Sequence, residues 1–193
     1  MIFYEKGGLH MHEIAIISGS PFQNSRTDGI LRYLERTLIE HNIRIHFITV
    51  SDVSAEDLIG CNFNSPIIQE ITEKVKGADG VIVGSPVYKS AYSGVLKTLI
   101  DLLPQDVFEG KPVLPVMTGG SKAHLLALEY TLKPLISSLK GHTLKGIYLV
   151  ESEIDLKQAQ PILDTDVRER TLKQLDYFTE FIEKVSDRPI ESK

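Results

Sequence analysis

Short apolar runs alternate along this chain with longer stretches in which apolar residues recur every three or four positions. The short runs are rich in Val and Ile and are mostly flanked by Gly, Pro, Ser or Asp, so they predict β-strands, whereas the longer stretches predict amphipathic helices. A strand–helix–strand order produces a parallel sheet with helices on both faces, so the alternation predicts an α/β fold. The predicted strands are Glu13–Ser18, Arg44–Val50, Gly80–Ser85, Pro112–Met117 and Thr143–Val150.

Helices are predicted between and after these strands. The first predicted helix places Ile30, Leu31 and Leu34 on one face, which marks that face as buried. The connection between residues 51 and 64 contains Gly60 and lacks a clear period, so it is predicted to be a loop with one helical turn at Ala55–Leu58. The predicted helices are Ser25–His41, Ser65–Gly77, Ser93–Leu103, Ala123–Leu139 and Asp166–Val185.

The length of 193 residues predicts a single domain with one core. Residues 1–11 show neither a helical nor a strand period and lack the basic-then-apolar order of a secretory signal, so they are predicted to be an extension outside the fold. The domain is then expected to span residues 12–193. Because a purine-rich ribosome-binding site would encode Lys6-Gly7-Gly8 if it were translated, we hypothesise that Met11 is the natural first residue.

The charge balance argues against nucleic acids as partners. The chain has 21 Lys and Arg residues against 26 Asp and Glu residues, a net charge of −5, and no basic cluster stands out. No apolar run approaches the roughly 18–20 residues that a membrane span requires. Cys61 is the single cysteine, so it cannot form an intramolecular disulfide, and it is interpreted as a small, partly buried residue. These features predict a cytoplasmic protein that binds neither nucleic acid nor membrane.

Ligands of open parallel α/β sheets bind outside the carboxyl ends of the strands, where the loops separate and leave a crevice. The loop after the first predicted strand, GSPFQNSRT, leads into a helix and carries Ser20, Ser25, Arg26 and Thr27. Free backbone N–H groups and the positive end of the helix dipole favour an anion there, and Arg26 adds a positive charge. Because neither G-x-G-x-x-G nor a Walker sequence is present, the loop predicts a site for a phosphate monoester. The alternative is that Ser25 only caps the helix and Arg26 lies in solvent.

The loops after the third and fourth predicted strands have a different character. The loop GSPVYKSAYSG contains Pro86, which stiffens it, and two tyrosines, Tyr88 and Tyr92, whose flat faces suit a planar ring. The loop TGGSKAH contains Gly119 and Gly120, which let backbone N–H and C=O groups approach the polar edge of such a ring. Either loop could instead be an ordinary turn, with the tyrosines covering the core. Together, the three loops predict a crevice with a phosphate end, a planar wall and a polar edge.

The sequence gives little support for acid–base, hydrolytic or metal chemistry. His124 follows the third loop but has no Asp or Glu within three residues, which favours a structural role for it. The chain has no Cys/His cluster with metal-ligand spacing and no G-x-S-x-G nucleophile elbow.

Two long segments resemble the NADPH-dependent FMN reductases of the flavodoxin-like superfamily, especially the alkanesulfonate-assimilation type. These segments are GSPVYKSAYSGVLKTLIDLLP (Gly84–Pro104) and TGGSKAHLLALEYTLKPL (Thr118–Leu135). The loop GSPFQNSRT is similar to the phosphate loop of that family, and the resemblance extends from about Glu13 to Val150.

The resemblance implies a five-stranded parallel sheet, with strand order 2-1-3-4-5, that binds FMN and takes a hydride from NADPH, with NADH as an alternative donor. The product FMNH2 would pass to a two-component monooxygenase, and the enzyme would be a homodimer or a homotetramer. Because the flavin itself accepts the hydride, no catalytic side chain is required. Tyr130 is similar to an inserted Tyr that makes a π-helical bulge at the subunit interface of such reductases and is associated with flavin transfer. The residues implied to bind FMN are Ser20, Ser25, Arg26 and Thr27 at the phosphate, Pro86, Val87 and Tyr88 at the ring, and Thr118, Gly119, Gly120 and Ser121 at its polar edge.

Two other functions fit the same residues. A quinone or azo-compound reductase of this fold would retain its FMN and reduce a second substrate. A flavodoxin-like electron carrier would bind flavin without turnover. Release of the flavin separates the first alternative from a flavin reductase, and steady oxidation of NADPH separates the second.

Overall fold

Strand segments form one parallel sheet in the computed structural model, which describes residues 11–186. Their order across the sheet confirms the predicted flavodoxin-like order 2-1-3-4-5, because the second strand lies at one edge, next to the first, and the third and fourth follow. The segments are β1 (Glu13–Ser18), β2 (Arg44–Thr49), β3 (Gly80–Pro86), β4 (Pro112–Gly119), β5 (His142–Thr143) and β6 (Ile147–Val150), and both β5 and β6 pair with β4.

The prediction of one continuous fifth strand, Thr143–Val150, was wrong, and the cause lies in the neighbouring strand β4. Leu144 donates its backbone N–H to the Val113 carbonyl at 2.9 Å, so the backbone groups of Val113 face the fifth strand. Residues two apart in a strand face the same side, so Pro115 faces the fifth strand as well. Pro115 has no N–H to donate, so the hydrogen-bond ladder is interrupted. Gly146 adopts a φ of +85°, and a Cβ atom on it would lie 2.8 Å from Pro115 Cγ. Glycine therefore lets the chain turn past the proline before pairing resumes.

Helices cover both faces of the sheet, and three of them begin where the sequence predicts. The predicted first residues Ser25, Ser65 and Ser93 are the N-cap residues of their helices. The hydroxyls of Ser25 and Ser93 accept hydrogen bonds from backbone N–H groups in the first turn, as capping serines do. The helices are α1 (Arg26–Glu40), α2 (Ala55–Ile59), α3 (Pro66–Gly77), α4 (Gly94–Asp101), α5 (Leu125–Ala127), α6 (Lys133–Ser138) and α7 (Thr165–Ser186), with 3₁₀ turns at Val50–Asp52, Lys122–His124 and Glu151–Glu153.

The predicted helix Ala123–Leu139 is not a regular α-helix throughout. Between α5 and α6 the chain makes a π-helical turn at Leu128–Leu132, in which Lys133 donates its backbone N–H to Leu128, five residues earlier. Pro134 has no N–H for the carbonyl four residues before it, and its ring would clash with that carbonyl in a regular α-helix. The wider π turn therefore accommodates the proline.

The core consists of two apolar layers, one on each face of the sheet. Along β1, Ile14 and Ile16 pack in the layer that α1 and α7 cover, whereas Ala15 and Ile17 pack in the layer that α3 and α4 cover. This alternation follows from the two-residue period of a strand. Because both faces are covered, the carboxyl edge of the sheet is the place where loops from several strands can meet around a ligand.

Some features predicted outside the core can be compared with the structure. Cys61 is exposed, which corrects its interpretation as partly buried, and it adopts a left-handed φ of 52° in the turn after α2. The predicted N-terminal extension falls almost entirely on residues 1–10, which lie outside the described residues. None of the helices within residues 11–186 is both long and apolar enough to cross a bilayer.

Candidate cofactor site

The carboxyl edge of the sheet contains a cavity of about 250 Å³ that joins residues from distant parts of the sequence. Six residues predicted to bind a cofactor line it: Ser25, Arg26, Thr27, Pro86, Tyr88 and Thr118. Four lining residues were missed by the sequence analysis: Phe22, Gln23, Asn24 and Glu151. The cavity therefore brings together the loop after β1, the loop after β3, the end of β4 and the residue that follows β6.

The first loop is fixed against the sheet by its backbone. Gly19 donates its N–H to the Gly84 carbonyl at 2.7 Å, and its own carbonyl accepts a hydrogen bond from the Ser93 hydroxyl. A Cβ atom at Gly19 would lie 2.6 Å from Leu96 Cβ, so the loop approaches α4 closely only because this residue is glycine. Asn24 adopts a φ of 61°, a left-handed conformation that Asn tolerates better than most residues. The chain thereby turns back to begin α1 at the cavity.

The structure bears out part of the alternative interpretation of the first loop, and the phosphate site stays a prediction. Ser25 is the N-cap of α1 and accepts a hydrogen bond from the backbone N–H of Asp28 at 3.1 Å, and the Arg26 side chain is half exposed. The same two residues nevertheless line the cavity, at the end of the helix where the first backbone N–H groups lack acceptors within the helix. Arg26 Nη1 lies 3.6 Å from Glu151 Oε2, which makes a loose ion pair across the cavity.

A buried hydrogen bond connects the first loop to the end of β4. The Thr27 and Thr118 hydroxyl oxygens are 2.6 Å apart, and each residue is 1% exposed. Two hydroxyl groups have two hydrogens, and the bond between them uses only one. The remaining hydrogen can be donated to an oxygen or nitrogen of a ligand in the cavity.

The second loop carries Tyr88 on a tight turn. Tyr88 and Ala91 exchange backbone hydrogen bonds of 2.8 and 3.1 Å, and the two residues between them, Lys89 and Ser90, both have left-handed φ angles. The loop is anchored on the cavity side, because Val87 donates its N–H to the Thr118 carbonyl at 2.7 Å. Tyr88 lines the cavity and is 43% exposed, which leaves part of its ring free to contact a ligand.

The two tyrosines of the second loop have different roles. Tyr92 packs against the core layer that contains α3 and α4, so for this residue the interpretation as a cover of the core is correct. Tyr88 is not among the tyrosines that pack there, and it borders the cavity. Only Tyr88 is therefore a candidate for the planar wall.

The third loop is held by a tyrosine from β6. The Tyr148 hydroxyl donates a hydrogen bond to the Ser121 carbonyl at 2.5 Å, and a Cβ atom at Gly119 would clash with the same hydroxyl. The Ser121 hydroxyl accepts a hydrogen bond from Ala123 at the start of the next 3₁₀ turn. Gly120 has open space around its Cα, so its backbone is accessible. The glycines are therefore needed for close packing at one position and leave the backbone accessible at the next.

Five residues predicted to bind the cofactor lie beside the cavity instead of lining it. They are Ser20, Val87, Gly119, Gly120 and Ser121. The Ser20 hydroxyl donates to the Phe22 carbonyl at 3.1 Å, and Ser20 lines a larger, adjoining cavity of about 580 Å³ together with Arg32 and Arg36; the two cavities share Phe22, Gln23 and Asn24. Ser20 therefore stabilises the shape of the first loop.

The electrostatic environment of the cavity is mixed. Burial raises the pKa of the Tyr148 hydroxyl above its usual range, and the carboxylates of Glu151 and Glu153 raise it further. Glu153 lies 3.7 Å from the Lys122 ammonium group. The carboxylates that follow β6 thus act on Tyr148, the residue that holds the third loop. They lie close to a cavity in which Arg26 is the positively charged side chain.

Two other predicted features can be located relative to this cavity. Tyr130 lies in the π-helical turn, where the resemblance places one, and is 75% exposed, so it does not simply pack on the helix surface. Its role in flavin transfer stays a prediction. His124 is exposed in the 3₁₀ turn after the third loop and does not line the cavity. Within residues 11–186, no group of His, Cys, Asp and Glu side chains is arranged to hold a metal ion.

Comparison with known proteins identifies relatives along most of the chain. A family model described as NADPH-dependent FMN reductase matches residues 12–155. The FMN reductase (NADPH) of Escherichia coli strain K12 is 39% identical over 166 residues, which cover 86% of this chain and 87% of the relative. The FMN reductase (NADPH) of Pseudomonas putida strain KT2440 is 44% identical over 142 residues, which cover 73% and 72% of the two chains. A solved structure of an NADH:FMN oxidoreductase, EMOB, in its apo form has a TM-score of 0.82 at 32% identity, and the match covers 93% of this chain and 92% of that one.

Proposed function

This chain belongs to the NADPH-dependent FMN reductase family, and we propose from this membership how its own residues bind FMN and present it to a nicotinamide donor. The protein is an oxidoreductase that reduces FMN with NAD(P)H. The observation that carries the residue assignment is the cavity at the carboxyl edge. It combines an arginine at a helix N-terminus, a partly exposed tyrosine and a hydroxyl pair with a hydrogen to donate.

The FMN phosphate is assigned to the start of α1. Arg26 supplies the positive charge, the first backbone N–H groups of the helix supply donors, and Thr27 supplies a hydroxyl. Ser25 lines the same end of the cavity while capping the helix. Ser20 contributes by holding the loop in shape. This donor set fits a phosphate monoester, since it contains one guanidinium and no lysine of the type that cradles triphosphates.

The isoalloxazine ring is assigned to the opposite end of the cavity. Pro86 and Tyr88 would border the ring, with Val87 held behind them by its bond to the Thr118 carbonyl. The polar ring edge would meet Thr118 and the backbone of Gly119, Gly120 and Ser121. Bound FMN supplies the acceptor for the hydride, so the task of these residues is to orient the ring and exclude water from one of its faces.

The nicotinamide donor, the assembly and the partner are proposals that rest on the family. NADPH is the proposed donor, and NADH is the proposed alternative because the solved relative EMOB is described as an NADH:FMN oxidoreductase. A homodimer or homotetramer would cover the exposed Tyr130, and reduced flavin would pass to a two-component monooxygenase of the alkanesulfonate type. A cytoplasmic location fits these roles, since it supplies NADPH and keeps the exposed Cys61 reduced.

One assay tests the activity and separates the alternatives. The purified protein is mixed with NADPH or NADH, with and without FMN, riboflavin or FAD, and oxidation of the nicotinamide is followed by absorbance. A flavin reductase that releases its product is colourless when purified and shows saturable dependence on free FMN. A tightly held yellow cofactor with a requirement for a second acceptor would instead identify a quinone or azo reductase. No steady oxidation of NADPH in excess FMN would identify an electron carrier.

A further inference from the structure

Glu151 places a negative charge inside the cavity assigned to the FMN phosphate. It is the first residue after β6 and lines the cavity together with Arg26, at 3.6 Å from that guanidinium. The other lining side chains are uncharged at neutral pH. The single positive charge of the cavity is therefore already matched by a carboxylate before any ligand arrives.

A phosphate monoester would have to share Arg26 with this carboxylate. The phosphate carries close to two negative charges at neutral pH, so it is attracted by Arg26 and the helix N-terminus but repelled by Glu151. Both partners of the ion pair are about half exposed, and exposed pairs of this kind contribute little energy, so displacing Glu151 from Arg26 costs little. The repulsion is the larger effect, because the carboxylate stays within one screening length of the phosphate after the pair has separated.

Other acidic groups extend the same negative field. Asp28 lies in the first turn of α1, and Glu153 lies two residues beyond Glu151. Glu153 differs from Glu151 in two respects, because it pairs with Lys122 and does not line the cavity. Of these three carboxylates, only Glu151 faces the ligand volume directly.

We propose that Glu151 is a specificity-determining residue that lowers the affinity for FMN by competing with its phosphate for Arg26. The consequence is a flavin site from which FMN exchanges readily, and a preference for FMN over riboflavin that is smaller than Arg26 alone would produce. The proposal rests on the assignment of the phosphate to the start of α1.

The test compares two neutralising substitutions that remove the same charge. Dissociation constants for FMN and riboflavin are measured by fluorescence quenching for the full chain, for Glu151→Gln and for the control Glu153→Gln. Glu151→Gln should tighten FMN binding by about three- to tenfold, because one unit charge near the phosphate disappears, while riboflavin changes by less than about twofold. Glu153→Gln should change both constants by less than about twofold, since its charge is matched by Lys122.

The outcomes distinguish the role of Glu151 from the assignment of the FMN phosphate to the start of α1. Unchanged FMN affinity in Glu151→Gln, or an equal gain for riboflavin, overturns the role of Glu151. If Arg26→Ala also leaves the ratio of the FMN and riboflavin constants unchanged, the phosphate assignment itself fails. A thermal melt of each variant checks folding, and Glu151→Ala provides a second neutral variant, for which the same tightening of FMN alone is expected.

Discussion

Replacement of Arg26 by alanine should weaken FMN binding while leaving riboflavin binding nearly unchanged. A hydrogen bond to a charged group contributes about 1.5–3 kcal/mol. Two features of the cavity modify this value in opposite directions. The side chain of Arg26 is 52% exposed, so water screens its charge, but its removal leaves Glu151 facing the phosphate without a counter-ion. We therefore expect a loss of about 2 kcal/mol, roughly a 30-fold higher dissociation constant for FMN.

The assay for Arg26→Ala is a fluorescence titration with FMN and with riboflavin, at one fixed ionic strength. Arg36→Ala is the matched control, because Arg36 is also an exposed arginine of α1 but does not line the cavity assigned to FMN. The double variant with Glu151→Gln should lose less affinity than Arg26→Ala alone. An equal loss for both flavins, or a loss as large in Arg36→Ala, would show that Arg26 does not contact the phosphate.

Three further substitutions test the structural basis of the site and the sheet. Thr27→Val should destabilise the protein by about 1–3 kcal/mol, because it leaves the buried Thr118 hydroxyl without its partner, and urea unfolding measures this. Gly146→Ala should cost more than about 1 kcal/mol in the same assay, because a φ of +85° is unfavourable for alanine. Glu13→Gln should reduce the loss of stability in acid: the hydrogen bond from His46, followed by nearby positive charge, holds the pKa of Glu13 below its usual value of 4.5. A carboxyl group whose pKa is lowered by folding stabilises the protein above its unfolded pKa, and this stabilisation is lost as the pH falls through the folded pKa. The advantage in stability of the wild type over the variant should therefore be full near neutral pH and should shrink below about pH 4.5.

Each of these substitutions has a control within the chain. Thr98→Val removes a hydroxyl that bonds a helical carbonyl at an exposed position, where water can replace it, and should cost less than Thr27→Val. Gly77→Ala adds a methyl group in open space and should be neutral. Glu70→Gln breaks an exposed pair with Lys74 and should leave the acid profile unchanged. Equal effects in a variant and its control would contradict the corresponding argument.

The alternation of strands and helices predicted a parallel sheet and the meeting of three loops, because the carboxyl ends of parallel strands share one edge, whereas the strand order 2-1-3-4-5 was implied by the resemblance to the flavodoxin-like reductases. Prediction from the sequence failed where the outcome depends on which neighbour a residue faces. Pro115 is visible in VLPVM, but only the sheet shows that its missing N–H faces the fifth strand. Glu151 was missed because it follows the last strand, and the sequence does not reveal that this strand ends beside Arg26. Asn24 lay inside the predicted phosphate loop, and its ability to adopt a left-handed φ was a signal that could have been used.

The turn that carries Tyr88 has a cost that does not depend on the ligand. Lys89 and Ser90 hold φ angles of 49° and 66°, which side chains other than glycine adopt at an expense of about 1–3 kcal/mol each. Because this strain is present in the fold without a ligand, we expect little further ordering of Tyr88 if flavin binds where it is assigned. Glycine at either position would relax the backbone and make the domain more robust, while the ring of Tyr88 would become less well positioned. If Tyr88 borders the flavin as proposed, stability of the fold is given up at this turn for a preset position of the aromatic ring.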